Sequence, residues 1–253
     1  MRLGRFQGPE GVFMGLVDGR SVEVTGAKGL SDVLRGGCRG TGVSHGLDEL
    51  KVLPPVHNPS KMICIGLNYR SHIREMGWET PKTPIIFTKP SSSIIGPGEN
   101  IVMPRASTRV DFEGECALII GTRAKDVADG EAHILGYTCL NDVTARDLQK
   151  TDPDWTRAKG FDTFAPIGPL ISPSAPTKVE TRLNGQVVQR SPLSDRVFGD
   201  AALVEYISTV MTLEPGDVIA TGTPSGIAPM KHGDIVEVEL DGIGCLRNPV
   251  VRV

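Results

Sequence analysis

The chain has 253 residues, with 30 acidic and 27 basic side chains and a net charge of −3. This length suits one large domain with a small appendage, or two modest domains, and it allows a real hydrophobic core. The charge is nearly balanced and no block of Lys or Arg stands out, which argues against a nucleic-acid partner. No segment reaches the roughly 18 apolar residues of a membrane helix, and the start lacks an apolar targeting core, so we expect a soluble cytoplasmic protein.

The pattern of short runs favours a mainly β (α+β) fold. Thirty glycines and 19 prolines separate many β-prone runs, and only a few segments have a helical period. Strands are predicted over 12–17 and 21–24, and the paired prolines at 54 and 55 would stop either kind of element. We therefore place a small N-terminal domain over residues 1–56 and a larger domain over residues 57–253.

A short helix is predicted over 69–76, where His72 and Glu75 stand three residues apart. This spacing places both side chains on one face of a helix. A surface ion pair is the ordinary explanation, and an acid/base pair is the functional one.

Three carboxylates alternate at Asp111, Glu113 and Glu115, directly before the apolar run 116–120. In a continuous strand they would share one face at a spacing of roughly 7 Å. In a partly dry site they would repel one another, whereas a divalent cation with oxygen ligands would favour all three as anions. The alternative is a solvated face of an edge strand.

The strand-like stretch 136–140 ends in a polar cluster that could complete a metal site. Asp142 could join Glu113 and Glu115 and leave positions open for water and substrate. Arg146 and Gln149 would share one side of a following helix, and Arg suits a substrate carboxylate. The alternative is that Asp142 caps this helix while Arg146 pairs with Asp147 or another neighbour.

Two further segments could contribute to a site. Lys159 follows an aromatic stretch and could stabilise negative charge, although a solvated lysine is the simpler explanation. The glycines of loop 221–226 would let backbone amides approach a ligand, or would merely form a turn. This loop lacks the ending of a phosphate-binding loop, which disfavours a nucleotide ligand.

The remaining elements of the last third are predicted as scaffold. Asn184-Gly185 and Asp241-Gly242 are hairpin turns next to β-prone runs. An apolar stripe from Leu203 to Met211 predicts a helix that packs on a sheet.

Seven motifs, taken in this order, resemble the fumarylacetoacetate hydrolase family. They are Gly66-Leu67-Asn68-Tyr69 with His72 and Glu75, Phe87-Thr88-Lys89-Pro90, Ile95-Gly96-Pro97-Gly98, Asp111-x-Glu113-x-Glu115, Asn141-Asp142-Val143-Thr144-Ala145-Arg146-Asp147, Lys159-Gly160-Phe161-Asp162 and Thr221-Gly222-Thr223-Pro224. The likeness covers nearly everything after residue 57. It implies a mixed β-sandwich roll with a small N-terminal β-rich domain, and usually a homodimer.

The resemblance also implies roles for nine residues. Glu113, Glu115 and Asp142 would bind Mg²⁺ or Mn²⁺. His72 and Glu75 would form an acid/base dyad on a lid, and Lys159 would contact the substrate. The residues that would line the pocket are Arg146, Gln149 and Thr223. Relatives often carry a larger residue at the position of Gly114. The distal half of the substrate would be read by the lid and by loops such as 77–79 and 191–195.

The implied activity is metal-dependent cleavage of a C–C bond in a 2-oxo or β-keto acid through a metal-bound enolate. Hydrolysis of an acylpyruvate or fumarylpyruvate and decarboxylation of an oxaloacetate-like acid both fit. An isomerase or tautomerase of the 2-hydroxyhepta-2,4-diene-1,7-dioate or 5-carboxymethyl-2-hydroxymuconate type, from aromatic catabolism, is the alternative. A non-catalytic metal-binding protein is a third possibility. Cleavage is favoured because a His/Glu pair beside an open metal position suits water activation.

Overall fold

The computed structural model describes residues 1–252, and strands dominate it. The nineteen strands of this range are β1 (Arg2–Gly8), β2 (Gly11–Asp18), β3 (Ser21–Thr25), β4 (Gly40–Gly46), β5 (Lys51–Leu53), β6 (Met62–Gly66), β7 (Ile85–Lys89), β8 (Ile94–Ile95), β9 (Ile101–Met103), β10 (Val110–Asp111), β11 (Gly114–Ile120), β12 (Ile134–Asn141), β13 (Thr144–Ala145), β14 (Ala165–Ser172), β15 (Lys178–Leu183), β16 (Gln186–Pro192), β17 (Val218–Ala220), β18 (Ile235–Leu240) and β19 (Gly244–Arg252). The helices are α1 (Leu30–Gly36), α2 (Arg70–Met76), α3 (Arg146–Thr151), α4 (Thr156–Lys159) and α5 (Asp200–Val210). The predicted mainly β, α+β class is confirmed.

The strands form a large twelve-stranded sheet, a five-stranded sheet and a two-stranded ribbon. The main path of the large sheet runs β4-β3-β2-β1-β14-β12-β11-β17-β6-β7, with β5 beside β1 and β8 beside β14. The smaller sheet runs β16-β15-β18-β19-β9, and β10 pairs with β13. β11 lies in the middle of the large sheet, antiparallel to β12 and β17.

The two larger sheets pack face to face around one hydrophobic cluster. Leu118 of the large sheet, Val179 and Val238 of the small sheet and Leu203 of α5 belong to it, and all four are buried. The predicted helix near 203–211 therefore covers this core, as its apolar stripe required. On the opposite face of the large sheet, Leu30 of α1 joins a second cluster.

The N-terminal strands extend the large sheet. β1 joins β14 through the pair Leu3 and Ile171. Phe6 is fully buried in the cluster of this region, and a Cβ at Gly4 would lie only 2.5 Å from its ring. The division between residues 56 and 57 stays a prediction.

Both predicted hairpin turns near the C-terminus are confirmed. Asn184 (φ 52°) and Gly185 (φ 78°) connect β15 to β16 with two consecutive left-handed residues, which a type I′ turn requires. β18 and β19 flank Asp241-Gly242 as expected.

The predicted continuous strand through 111–115 is wrong. β10 ends at Asp111 and β11 begins at Gly114. Between them the amide of Glu113 donates to the side chain of Asn141 at 2.9 Å, and Phe112 is buried in a separate cluster. The chain therefore changes partners, since β10 pairs with β13 while β11 pairs with β12, and the three acids do not form one row.

Within residues 1–252 no helix is long and apolar enough to cross a membrane.

Candidate metal centre and active site

Three of the predicted acids converge. Carboxylate oxygens of Glu113, Glu115 and Asp142 lie within 4.8 Å of one another, and all three residues are buried. The amide of Asp142 donates to the carbonyl of Glu113 at 2.8 Å, which brings the end of β12 against the start of β11. Asp142 does not cap a helix, because the residue before α3 is Ala145.

Close backbone approach holds the acids in place. A Cβ at Gly114 would lie 2.0 Å from Oγ1 of Thr181, so the larger residue common in relatives has no room here. The amide of Gly222 donates to Oε2 of Glu115 at 2.7 Å. Gly222 has a left-handed φ of 95°, a conformation that glycine adopts without strain, so the backbone of its loop can approach Glu115 closely.

Buried cations contact the same carboxylates. Nζ of Lys159 donates to Oε2 of Glu113 at 2.8 Å and to Oδ2 of Asp142 at 2.6 Å. Nζ of Lys89 donates to Oδ1 of Asp142 at 2.6 Å. Arg146 donates to Glu113 and, at 2.9 Å, to Oδ2 of Asp111. Lys159 and Arg146 are therefore not solvated side chains.

The cations compensate the acids unequally. Burial raises the pKa of Glu113, but Lys159 and Arg146 outweigh it and hold that pKa well below its usual range. Burial raises the pKa of Glu115, and the neighbouring carboxylates of Asp142 and Glu113 raise it further. Glu115 is thus the acid whose charge the chain leaves unneutralised. Closely spaced oxygen donors with an uncompensated carboxylate fit a hard divalent cation.

His72 and Glu75 form a pair on α2. Nδ1 of His72 lies 2.9 Å from Oε2 of Glu75, and His72 is only 7 % exposed. Oε1 of Glu75 accepts a hydrogen bond from the amide of Gly226 at 2.9 Å. Because Glu75 is acceptor-only when ionised, Nδ1 carries the proton and Nε2 is left as the acceptor.

The start of α2 is fastened to the rest of the fold. Nη1 of Arg70 donates to the carbonyl of Arg196 at 2.7 Å. Asn68 donates to the carbonyl of Phe198 at 3.1 Å and accepts from its amide at 2.8 Å. These contacts fix where α2 begins, and His72 and Met76 of this helix line the same pocket as the acids.

One pocket brings together eight of the nine predicted site residues. They are His72, Glu113, Glu115, Asp142, Arg146, Gln149, Lys159 and Thr223. Glu75, the ninth, contacts the pocket through His72. Arg146 donates to Oε1 of Gln149 at 2.6 Å, so these two share one side of α3 as expected. The hydroxyl of Thr223 donates to the carbonyl of Gly114 at 3.0 Å.

Three supporting residues did not follow from the sequence as site residues, and a fourth, Asp111, has a different role from the expected one. Lys89 contacts Asp142, and Asp111 holds Arg146 instead of joining the acids. Gln189 of β16 accepts from the amide of Gly114 at 3.0 Å and donates to Thr223 at 2.9 Å. Gly226 contacts Glu75. Lys89 and Asp111 had a signal in the sequence, because both stand in family motifs.

The chain thus has a mixed β-fold in which three buried carboxylates share one pocket with His72. The family profile for the fumarylacetoacetate (FAA) hydrolase C-terminal domain matches residues 61–251. The chain belongs to that family. A second profile, the Rv2993c-like N-terminal domain, matches residues 1–55.

Named relatives cover several reactions. The mitochondrial oxaloacetate tautomerase fahd2 of Xenopus laevis is 42% identical over 220 residues, which are 80% of this chain and 69% of that protein. The crystal structure of a 5-carboxymethyl-2-hydroxymuconate delta-isomerase from Mycobacterium smegmatis matches with a TM-score of 0.89 and 44% identity over all of both chains. A maleylpyruvate hydrolase from Sphingobium sp. SYK-6 matches with a TM-score of 0.83 and 30% identity, again over all of both chains.

Proposed function

We propose that this protein moves a proton between carbon and oxygen, or between two carbons, of a small 2-oxo acid. The activity is thus keto–enol tautomerisation or double-bond isomerisation. The supporting observation is that His72, which is hydrogen-bonded to Glu75, lines the same pocket as the three carboxylates. An acid/base group beside a site for a polarised carbonyl is the arrangement that enolisation needs.

Glu113, Glu115 and Asp142 are the proposed ligands of Mg²⁺ or Mn²⁺. A divalent cation bound there supplies a Lewis acid that polarises the oxygens of a 2-oxo acid. The buried charges around it are four acids, with Asp111 included, and the three bases Lys89, Arg146 and Lys159. Adding two positive charges makes this group cationic, so the pocket favours an anionic substrate.

The proton-carrying steps fall to His72. With Nδ1–H held by Glu75, Nε2 takes the proton from the carbon next to the carbonyl and later returns one. Glu75 stabilises the imidazolium formed in between. Burial lowers the pKa of Lys159, but Asp142 and Glu113 outweigh it and hold that pKa above its usual value. Lys159 therefore stays an ammonium that stabilises negative charge on the substrate.

The comparisons favour proton transfer over C–C cleavage. The tautomerase and the isomerase share 42% and 44% identity with this chain, and the hydrolase shares 30%. This ordering reverses the preference drawn from the sequence alone. Cleavage of an acylpyruvate-like or oxaloacetate-like acid remains the second candidate, because the same oriented imidazole can take a proton from water.

The experiment is a panel of substrates with His72→Asn as the test variant. Enol–keto conversion of oxaloacetate, hydrolysis of acetylpyruvate and isomerisation of a hydroxymuconate dienoate are each followed with Mg²⁺ or Mn²⁺ and with EDTA. We expect EDTA to abolish turnover and His72→Asn to lower kcat by at least about a hundredfold, while Mn²⁺ affinity is unchanged. His133→Asn, outside this pocket, is the matched control.

Each outcome decides between the candidates. Release of acetate and pyruvate from acetylpyruvate, without proton transfer on the other two acids, would favour the second candidate. Full activity of His72→Asn would show that His72 does not transfer the proton. Tight Mn²⁺ binding without turnover of any 2-oxo acid would favour the non-catalytic metal-binding protein.

A further inference from the structure

The pocket has a charged part and an aromatic part. The charged part contains the three acids with Arg146 and Lys159. Apart from His72, Gln149, Thr223 and Gly66, the rest of the lining is apolar or aromatic, namely Ile65, Leu67, Met76, Trp78, Phe87 and Trp155. A ligand whose head lies at the acids must place its other end against this second group.

Contacts between neighbouring side chains show in which direction the aromatic part extends. Nζ of Lys159 lies 5.1 Å from the ring centroid of Phe87. The Phe87 ring lies 5.1 Å from that of Trp155 in an edge-to-face arrangement at 78°. The aromatic part of the pocket therefore begins next to Lys159, which contacts the acids, and extends through Phe87 to Trp155.

The backbone makes room for Trp155. A Cβ at Gly66 would lie 2.7 Å from the indole ring, so any larger residue at 66 would displace it. Trp155 is thus seated on the end of β6 while one side of it faces the pocket.

Trp78, just after the end of α2, also lines the pocket. It follows Gly77, the left-handed residue (φ 69°) that ends α2, and it is 51% exposed while lining the pocket. A tryptophan that is half in water and lines the same pocket as other aromatic side chains offers apolar area that a ligand can cover.

The cations that line the described pocket are already paired with carboxylates of the protein. Among the described residues of the lining, the permanent cations are Arg146 and Lys159, and both donate to buried carboxylates. A second carboxylate placed at the aromatic end would give up part of its hydration without gaining a cationic partner.

We propose that Trp78 and Trp155 select a substrate whose tail is uncharged and planar, such as an aryl or conjugated alkenyl group. The inference rests on the proposed function, since that function places the 2-oxo acid head at the acids.

The test uses ligands that bind without reacting. Oxamate has the head alone, N-phenyloxamate adds a planar uncharged tail, and N-(carboxymethyl)oxamate adds a charged one. Dissociation constants are measured by titration calorimetry on the full chain with excess Mg²⁺. We expect N-phenyloxamate to bind about tenfold more tightly than oxamate, and N-(carboxymethyl)oxamate no more tightly than oxamate.

Two variants test whether the tighter binding of N-phenyloxamate depends on the side chains of Trp78 and Trp155. Trp78→Ala changes a half-exposed side chain and is expected to fold, and Trp155→Phe keeps an aromatic ring on Gly66. Trp78→Ala should reduce the advantage of the phenyl tail to less than about threefold, while Trp155→Phe should reduce it only in part. The affinity for oxamate should stay the same in both.

The results distinguish the two proposals. If oxamate binds but the phenyl tail gives no advantage, or if the carboxymethyl tail binds more tightly, the tail inference is overturned while the proposed function stands. If the advantage persists in Trp78→Ala, Trp78 is not a selecting residue. If oxamate itself fails to bind in the presence of Mg²⁺, both proposals fail.

Discussion

Lys89 on β7 is almost completely buried, and its ammonium donates to Asp142 at 2.6 Å and to the carbonyl of Val143 at 3.0 Å. Removing one partner of a buried ion pair leaves a charge without compensation. We expect Lys89→Met to lower the free energy of unfolding by about 3 kcal/mol, the lower end of the usual range because Lys159 also contacts Asp142. Urea denaturation measures this loss.

Added metal supplies the internal check on this prediction. Saturating Mn²⁺ should recover part of the lost stability, because a cation at Asp142 offsets the unpaired charge. Arg157→Met is the matched control, since Arg157 pairs with Asp152 while its own side chain is 58% exposed, and its melting temperature should not change. An equal loss in both variants would contradict the role of burial.

Asp147 provides a prediction about pH at the same scale. Burial raises the pKa of its carboxyl, but the hydroxyl of Ser107 and the amide and hydroxyl of Thr108 outweigh it and hold the pKa well below its usual value. Because its pKa is lower in the folded state, ionised Asp147 stabilises the fold at pH values above the unfolded pKa of about 3.9. This stability is lost as the pH falls through the folded pKa. Asp147→Asn should therefore cost stability at pH 7 and progressively less below about pH 4. Urea titrations at several pH values test this; the same difference at pH 7 and pH 3 would contradict it.

At the scale of elements, α2 is joined to the loop after β17 through Glu75. One oxygen of Glu75 holds His72 and the other accepts from the amide of Gly226. Gly226 has a φ of 102°, and a Cβ there would lie 2.1 Å from the carbonyl of Val188. Replacing Gly226 by Ala should displace the loop and free the end of α2.

We expect Gly226→Ala to lower kcat by at least about tenfold with Mn²⁺ affinity unchanged, since the imidazole loses its fixed orientation. Faster amide hydrogen exchange over 70–77 would accompany the loss. Gly233→Ala is the control, because Gly233 also has a positive φ of 90° but has nothing within 4 Å of an added Cβ. Comparable kcat losses in the two variants would show that backbone strain alone is responsible.

The features that local spacing in the sequence predicted correctly depend on contacts between residues close together in the chain, and those it missed depend on contacts between distant residues. Hairpins such as the one at Asn184 and the α2 pair of His72 with Glu75 follow from local spacing. The break after Asp111 did not follow, because it depends on β10 pairing with a strand over thirty residues away. Gln189 and Gly226 carry no local sign of their roles, since each contacts the site only after distant strands have packed. The convergence of the acids was predicted through the family motifs.

At the scale of the molecule, the N-terminal strands are continuous with the sheet that carries the site. Phe6 is fully buried between Gly4, Gly15 and Leu170 of β14. Phe6→Ala removes this packing and should cost about 3–5 kcal/mol. Because β14 also pairs with β12, we expect one calorimetric transition that shifts as a whole to lower temperature.

Val43→Ala serves as the control, since Val43 is 43% exposed on β4, and it should leave the transition in place. Two separate transitions in Phe6→Ala, with the upper one unmoved, would instead support the predicted boundary near residue 56 as a real division of stability. The predicted homodimer stays a prediction, because a single chain carries no information on its partner.

The lysine bridge between Glu113 and Asp142 has a consequence for how the protein matures. A cluster of acids with no internal counter-ions would resist collapse until an ion arrived, as in small zinc domains that stay unfolded without metal. Here ammonium and guanidinium groups already neutralise most of that repulsion, so the chain can reach its native shape first. We expect the proposed divalent cation to bind after folding and to exchange without unfolding the protein.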